Sequence, residues 1–189
     1  NMGAVVLGID PAKDIAKKAT KEGIETWPDF FSPVLADKIL KNKGQAKIIT
    51  ANNTFAHIDD SRGVVEGVKK LLSDDGVFVI EVPCLIDFLE KKLFDTIYHE
   101  HLSYFSIRPL QRFYEQFGLE VFDVEVTNIQ GKSLRVFVGH KGKHEVSAKV
   151  KELVDLELAM GLNRVDIYKK LAERIATQKK QLNRFLKDL

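Results

Sequence analysis

Short apolar runs alternate with amphipathic segments through the first half of the chain. The apolar runs are rich in β-branched residues and stop at turn signals, which predicts strands at 4–9, 24–27, 47–51 and 76–82. The segments between them carry apolar residues at helical spacing, which predicts helices from Pro11 to Gly23, at 33–40 and at 64–72. This alternation is typical of βαβ units and a parallel sheet.

The pattern changes in the second half of the chain. An amphipathic helix is predicted at 109–117, followed by strands at 119–126 and 133–138 that form an antiparallel pair about Gly131. From Val146 onward the apolar spacing is helical, and the segment 161–163 (Gly-Leu-Asn) is expected to divide it into two helices.

The first predicted strand ends in an acidic residue, Asp10. In nucleotide-binding α/β sheets such a residue normally follows the second strand, about 20 residues after a glycine-rich turn. No G-x-G-x-x-G sequence precedes Asp10. We therefore expect a Rossmann-like sheet that lacks its first βα unit, in a chain that is a fragment of a longer protein.

Composition narrows the possible partners and location. The net charge of +2 gives no electrostatic case for a nucleic-acid partner. No apolar run is long enough to span a membrane, and the first residues do not resemble a signal peptide. A single cysteine, Cys84, excludes an internal disulfide framework and fits a reducing cytoplasm.

Two polar segments follow predicted strands, where ligands of open α/β sheets bind. Asp10 is placed to accept the ribose hydroxyls of a nucleoside, or it forms the turn and cap before the next helix. The second segment follows the strand at 47–51 and contains Asn52, Asn53, His57 and Asp60. These side chains either face a ligand or only form turns and cap the following helix.

The sequence "DTIYHEHLSYFS" at 95–106 fits neither a helix nor a strand period. As a strand it would place His99 and His101 on one face as a metal pair, with His57 as a third ligand. As a helix it would place Tyr98 beside His101. Without a metal, such a set suits proton abstraction next to a carbonyl, because histidine titrates near neutral pH and tyrosine can donate to an oxyanion.

Several of these segments together resemble the S-adenosylmethionine-dependent sugar C-methyltransferases, which methylate a carbon of a nucleotide-linked keto-deoxysugar. The resemblance covers most of the chain and depends chiefly on "ITANNTFAHIDD", "FDTIYHEHLSYFS" and "SLRVFVG". It implies an α/β class I methyltransferase fold that lacks its first βα unit. It also implies a division into a partial methyltransferase domain, 1–142, and a helical C-terminal extension, 143–189.

The resemblance implies that the cofactor is S-adenosylmethionine and that the chain holds no metal. Asp10 is similar to the residue that binds the cofactor ribose. The turn after the second predicted strand is similar to the adenine contact, and the loop after the third passes the methionine part. These two segments contribute Asp29, Phe30, Ala51, Asn52 and Asn53.

The resemblance also assigns the residues that carry the chemistry. His101 is similar to a general base that removes a proton alpha to a ketone, with Tyr98, Glu100 and His57 beside it. Tyr98 or His57 stabilises the enolate, and Glu100 orients an imidazole or a sugar hydroxyl. The implied substrate is a nucleotide-linked sugar. Separately from the resemblance, the single cysteine fits a cytoplasmic setting, and we expect a homodimer formed through the C-terminal helices.

The chain departs from the family's pattern at several points. Members carry a cysteine-rich zinc-binding domain, a glycine-rich cofactor loop and a further C-terminal subdomain, and none of these is seen in this sequence. They also carry His-Gly-Gly before "SLRV", where this chain has Gln130-Gly131-Lys132. We therefore expect weak cofactor binding, or none, by this chain alone.

Two other hypotheses follow from the same residues. One is a non-catalytic α/β domain that acts in assembly through its C-terminal helices. The other is a metal-dependent isomerase or hydrolase that uses His57, His99 and His101.

Overall fold

The computed structural model describes residues 3–127 and 133–188. The strands are β1 (Gly8–Ile9), β2 (Thr26–Trp27), β3 (Ala46–Asn52), β4 (Leu72–Pro83), β5 (Leu119–Thr127) and β6 (Ser133–His140). The helices are α1 (Lys13–Lys21), α2 (Pro33–Lys43), α3 (Ser61–Leu71), α4 (Leu85–Lys91), α5 (Ile107–Glu115), α6 (Ala148–Ala159) and α7 (Val165–Lys187). Short 3₁₀ turns lie at Phe55–His57 and Phe94–Thr96.

The described strands form two sheets. One has the order β3-β4-β6-β5, and the other pairs β1 with β2. Both β1–β2 and β3–β4 are parallel, which confirms the predicted βαβ character of the first half. The predicted antiparallel pair is β5–β6, although the turn about Gly131 lies outside the described residues.

The first strand is much shorter than predicted. Only Gly8 and Ile9 pair with β2, whereas the prediction covered residues 4–9. Val5 and Val6 are exposed. A β-branched run gains strand geometry only where a neighbouring strand satisfies its backbone groups, and residues 4–7 have no such neighbour among the described strands.

Helix α2 connects the two sheets. Ser32 caps its first turn by accepting a hydrogen bond from Leu35 N, and Pro33 follows at its first position. The buried face of α2 packs on residues of both sheets, namely Ile9, Trp27, Ala46 and Ile49. Within the described residues, β1 and β3 each pair with a single strand. The absence of a first βα unit stays a prediction.

The main core lies between the four-stranded sheet and α3, α5 and α6. Its largest fully buried side chain is Tyr114, on α5. The Tyr114 hydroxyl has no hydrogen-bond partner among the described residues. Burial raises the pKa of Tyr114 far above its ordinary value, so the hydroxyl stays neutral.

A buried carboxylate attaches the C-terminal helices to this core. Glu157, on α6, is 3% exposed. Its Oε1 accepts from Ile107 N at 2.6 Å and its Oε2 from Arg108 N at 3.1 Å. These are free amides at the start of α5, so Glu157 caps a helix distant in sequence. Burial raises the pKa of Glu157, although the two amide donors oppose this shift.

An apolar cluster is the second contact that attaches the C-terminal helices to the rest of the chain. Leu162 and Leu171 pack with Phe88 and Leu89 of α4 in a small buried cluster. As predicted, the helical region is broken at 161–163, between α6 and α7. The exact division of the chain at residue 142 stays a prediction.

The far end of α7 exposes three large apolar side chains, Leu182, Phe185 and Leu186. The expected homodimer through these helices stays a prediction. Within 3–127 and 133–188, no helix combines the length and the apolar character needed to cross a bilayer.

We expect Tyr114→Phe to raise the free energy of unfolding by about 1 kcal/mol, because the substitution removes a buried hydroxyl that has no described partner. Urea denaturation measures the change. Tyr168→Phe is the opposite control, since the Tyr168 hydroxyl donates to Leu162 O at 2.8 Å and its loss should destabilise the fold. A stability loss in Tyr114→Phe would contradict the prediction.

A raised pKa in the folded state favours the protonated form of Glu157. Its contribution to stability is therefore full below the ordinary glutamate pKa and is lost as pH rises through the raised value. We expect the free energy of unfolding of wild type, relative to that of Glu157→Gln, to fall as the pH rises above the ordinary glutamate pKa of about 4.3. Denaturation at several pH values measures the difference, and wild type relative to Glu152→Gln, on the exposed side of α6, should show no such pH dependence.

Candidate active site

Residues 95–105 form a loop that is hydrogen-bonded to the 3₁₀ turn after β3. It starts in the 3₁₀ turn Phe94–Thr96 and ends at Phe105, which forms an isolated bridge with Cys84. Between these points Leu102 N and Ser103 N both donate to Ala56 O, at 2.9 and 3.3 Å. Ala56 lies in the 3₁₀ turn after β3. The loop is therefore neither the strand nor the helix that the sequence left open.

His101 has a fixed tautomer in this loop. Its Nδ1 lies 2.9 Å from Thr96 O. Since a carbonyl oxygen only accepts hydrogen bonds, Nδ1 carries the proton. Neutral His101 thus has its lone pair on Nε2, which lies 3.3 Å from the Tyr98 hydroxyl.

His57, in the 3₁₀ turn after β3, is held in the same tautomer as His101. Its Nδ1 lies 2.9 Å from Glu100 O and therefore donates to it. The His57 and His101 rings are 4.9 Å apart between centroids. Two imidazoles with Nε2 lone pairs consequently lie side by side, one from each loop.

Glu100 and His99 face outward. The Glu100 backbone orients His57, while its carboxylate is 58% exposed and lies 3.9 Å from His99 Nε2. His99 is 89% exposed. Across the described ranges, no group of three or more His, Cys, Asp or Glu side chains is arranged to hold a metal ion. The three-histidine set required by the metal hypothesis is not assembled.

Asp10 directly follows β1, as expected. Its Oδ1 accepts from Ala12 N at 2.8 Å, and its own amide donates to Trp27 O at 3.2 Å. The carboxylate therefore makes a turn, although it does not cap α1, whose N-cap is Ala12. An ionised carboxylate that accepts one hydrogen bond retains capacity for others.

The turn after β2 presents an exposed aromatic ring. Asp29 Oδ1 accepts from Phe30 N at 2.8 Å, which holds the turn. Phe30 is 74% exposed. A phenyl ring in water next to a carboxylate is an available platform for a flat ligand.

Asn52 is the last residue of β3, and the turn that follows the strand begins there. Ala51 is half-buried in the strand, whereas Asn52 and Asn53 are exposed. Asn53 has φ of +52° and donates its amide to Glu81 O at 2.8 Å. Asparagine tolerates this left-handed geometry. Asp60 only caps α3, by accepting from Gly63 N at 2.9 Å, as the simpler interpretation predicted.

The structure brings the side chains of His57, Tyr98 and His101 together from two loops, whereas Glu100 contacts this group through its main-chain oxygen. The predicted cofactor residues lie at the ends of β1, β2 and β3. The Gln130-Gly131-Lys132 turn, where the family carries a histidine, lies outside the described residues. Sequence reasoning missed Thr96 and Tyr104. Little in the sequence indicated either residue. Tyr104 lies within 95–106, but no pattern there assigned it a role, and Thr96 acts through its main-chain oxygen.

Two family models match the chain. A methyltransferase domain matches residues 2–124, and a C-methyltransferase C-terminal domain matches residues 128–189. C-methyltransferase NovU of Streptomyces niveus is 38% identical over 186 residues, which cover 96% of this chain and 44% of that protein. The chain therefore spans less than half the length of this relative.

Solved structures confirm the fold. An S-adenosylmethionine-dependent methyltransferase from Anabaena variabilis matches with a TM-score of 0.54 at 17% identity, over 72% of this chain and 68% of that one. Magnesium protoporphyrin IX methyltransferase from Synechocystis matches with a TM-score of 0.52 at 11% identity, over 74% and 65%. The two family models, of which the first matches more than half of the chain, show that the chain belongs to the methyltransferase family and carries a C-methyltransferase C-terminal domain.

Proposed function

We propose that the protein containing this chain transfers a methyl group from S-adenosylmethionine to a carbon alpha to a ketone of a nucleotide-linked deoxysugar. The observation that carries the proposal is the paired imidazoles, His57 and His101, whose Nε2 atoms are left as bases. The 38% identity to a C-methyltransferase supports transfer to carbon. Carbon is not nucleophilic until a proton is removed, which is the task that such a base performs.

The described residues fit part of the cofactor. Asp10 offers a carboxylate to ribose hydroxyls, and the exposed Phe30 ring offers a face to adenine. The exposed Asn52 and Asn53 would offer amides to the methionine part. When bound, S-adenosylmethionine supplies an electrophilic methyl group on sulfur. These strand-end residues would hold and orient it.

His101 is the proposed general base. Its Nε2 accepts the proton alpha to the ketone, and the imidazolium that forms keeps its Nδ1–H bond to Thr96 O. A carbonyl oxygen at 2.9 Å stabilises that positive charge. The substrate thereby becomes an enolate, whose negative charge lies largely on the ketone oxygen.

Tyr98 is the better placed donor to that oxygen. Its hydroxyl lies 3.3 Å from His101 Nε2, so it reaches the same space as the abstracted proton. Neutral His57 has no proton on Nε2, because Nδ1 carries it. His57 therefore donates to an enolate only as an imidazolium, and Tyr98 takes that role in the neutral site.

Glu100 is proposed to bind a sugar hydroxyl. Its carboxylate is exposed, while its main chain already holds His57. A carboxylate accepts hydrogen bonds from the vicinal hydroxyls common to sugars. The cytoplasmic location and the homodimer remain predictions from the sequence.

We expect His101→Ala in the full-length protein to lower kcat by roughly 100- to 10,000-fold, because general base catalysis contributes about that much. Methyl transfer to a keto-sugar nucleotide, followed with isotope-labelled cofactor, measures the loss. His99→Ala is the matched control, since the His99 side chain is 89% exposed and takes no part in the hydrogen bonds that orient His57 and His101. Full turnover in His101→Ala would contradict the base assignment.

We expect Asp10→Asn to weaken cofactor binding by roughly 10- to 100-fold, the cost of losing hydrogen bonds to a charged group. Titration calorimetry of the full-length protein with S-adenosylmethionine measures the affinity. Asp14→Asn, an exposed residue in the first turn of α1, is the matched control and should bind normally. Equal affinities for both variants would remove Asp10 from the cofactor site.

A further inference from the structure

We infer that Tyr104 is a positioning residue that holds the His101 imidazole through a shared backbone carbonyl. The inference depends on the proposed function only in taking His101 as the base. The hydrogen bonds themselves belong to this chain and do not require the reaction.

The shared carbonyl is that of Thr96. Its oxygen accepts from the Tyr104 hydroxyl at 3.0 Å and from His101 Nδ1 at 2.9 Å. A carbonyl oxygen has two lone pairs, so these two donors satisfy it. Thr96 O is consequently held from two directions, and the imidazole bound to it takes its position from both.

The Tyr104 ring contributes a second constraint. It lies perpendicular to the His101 ring, with centroids 6.2 Å apart, in an edge-to-face arrangement. The Tyr104 ring also lies against the Phe88 ring, with centroids 5.5 Å apart. Phe88 is buried with Leu162 and Leu171 between α4 and α7. The imidazole is thus supported through Tyr104 by the cluster that anchors the C-terminal helices.

The Tyr104 hydroxyl also closes the loop that carries the site. The bond from Tyr104 to Thr96 joins the two ends of a segment that contains Tyr98, Glu100 and His101. The middle of the same segment is pinned separately, by its amides on Ala56 O. Burial, with Tyr98 as a smaller influence, raises the pKa of Tyr104, so its hydroxyl stays protonated as a donor at neutral pH.

Nitrogen-15 NMR of the histidine side chains in this chain tests the geometry without requiring catalysis. The proton of neutral His101 is expected on Nδ1 in wild type. In Tyr104→Phe, which keeps the ring and removes the hydroxyl, the His101 signals should move toward a mixture of both tautomers. Tyr168→Phe is the matched control, because it removes a tyrosine bond to a backbone carbonyl near the start of α7, and it should leave His101 unchanged.

Two NMR results would overturn the inference. One is wild-type His101 with its proton on Nε2. The other is a His101 spectrum that is identical in wild type and in Tyr104→Phe.

Kinetics of the full-length protein separate this inference from the proposed function. We expect Tyr104→Phe to lower kcat by roughly 10- to 100-fold, as a misplaced catalytic group does, with the KM for S-adenosylmethionine nearly unchanged. Tyr168→Phe should keep its kcat. Absence of methyl transfer in wild type would overturn the proposed function and leave the NMR result standing. An active enzyme whose kcat is unaffected by Tyr104→Phe would overturn the positioning role.

Discussion

One backbone oxygen, that of Ala56, organises the candidate site. It accepts the amides of Leu102 and Ser103, and so fixes the long loop after α4 against the short turn after β3. Ala56 is itself buried beside Phe55, which packs in the main core, so the oxygen is held by the core. The hydrogen bond from His57 to Glu100 O joins the same two segments. The site therefore takes its rigidity from the sheet, although its side chains lie on loops.

Main-chain carbonyl oxygens also orient the two histidines and fix their tautomers. Each Nδ1 donates to a main-chain carbonyl, His57 to Glu100 and His101 to Thr96. Such a bond fixes both the ring plane and the tautomer, and it leaves the lone pair of each neutral imidazole on Nε2. The loop thus orients both imidazoles with main-chain groups, while the Tyr98 hydroxyl lies 3.3 Å from His101 Nε2 and the Glu100 carboxylate is exposed.

The C-terminal helices are part of the support of this site. Glu157 caps α5, and the cluster of Phe88, Leu162 and Leu171 lies behind Tyr104. The boundary between the two matching family models falls between residues 124 and 128, in the hairpin whose strands β5 and β6 pair along their described length. The two matched regions consequently share one sheet and cannot separate without breaking it.

The sequence by itself determined the order of most strands and helices, because their periodicity and their turn residues are local signals. It also located Asp10, Asn52, His57 and His101 after strands or in a polar cluster. Only the tertiary structure decided which histidines pair, since the bond from His57 to Glu100 spans 43 residues and no local pattern encodes it. For the same reason, only the tertiary structure showed that His99 faces away from the site and that Tyr104 bonds to Thr96 O. It also shortened the first strand, because strand pairing depends on a neighbour that the local sequence does not specify.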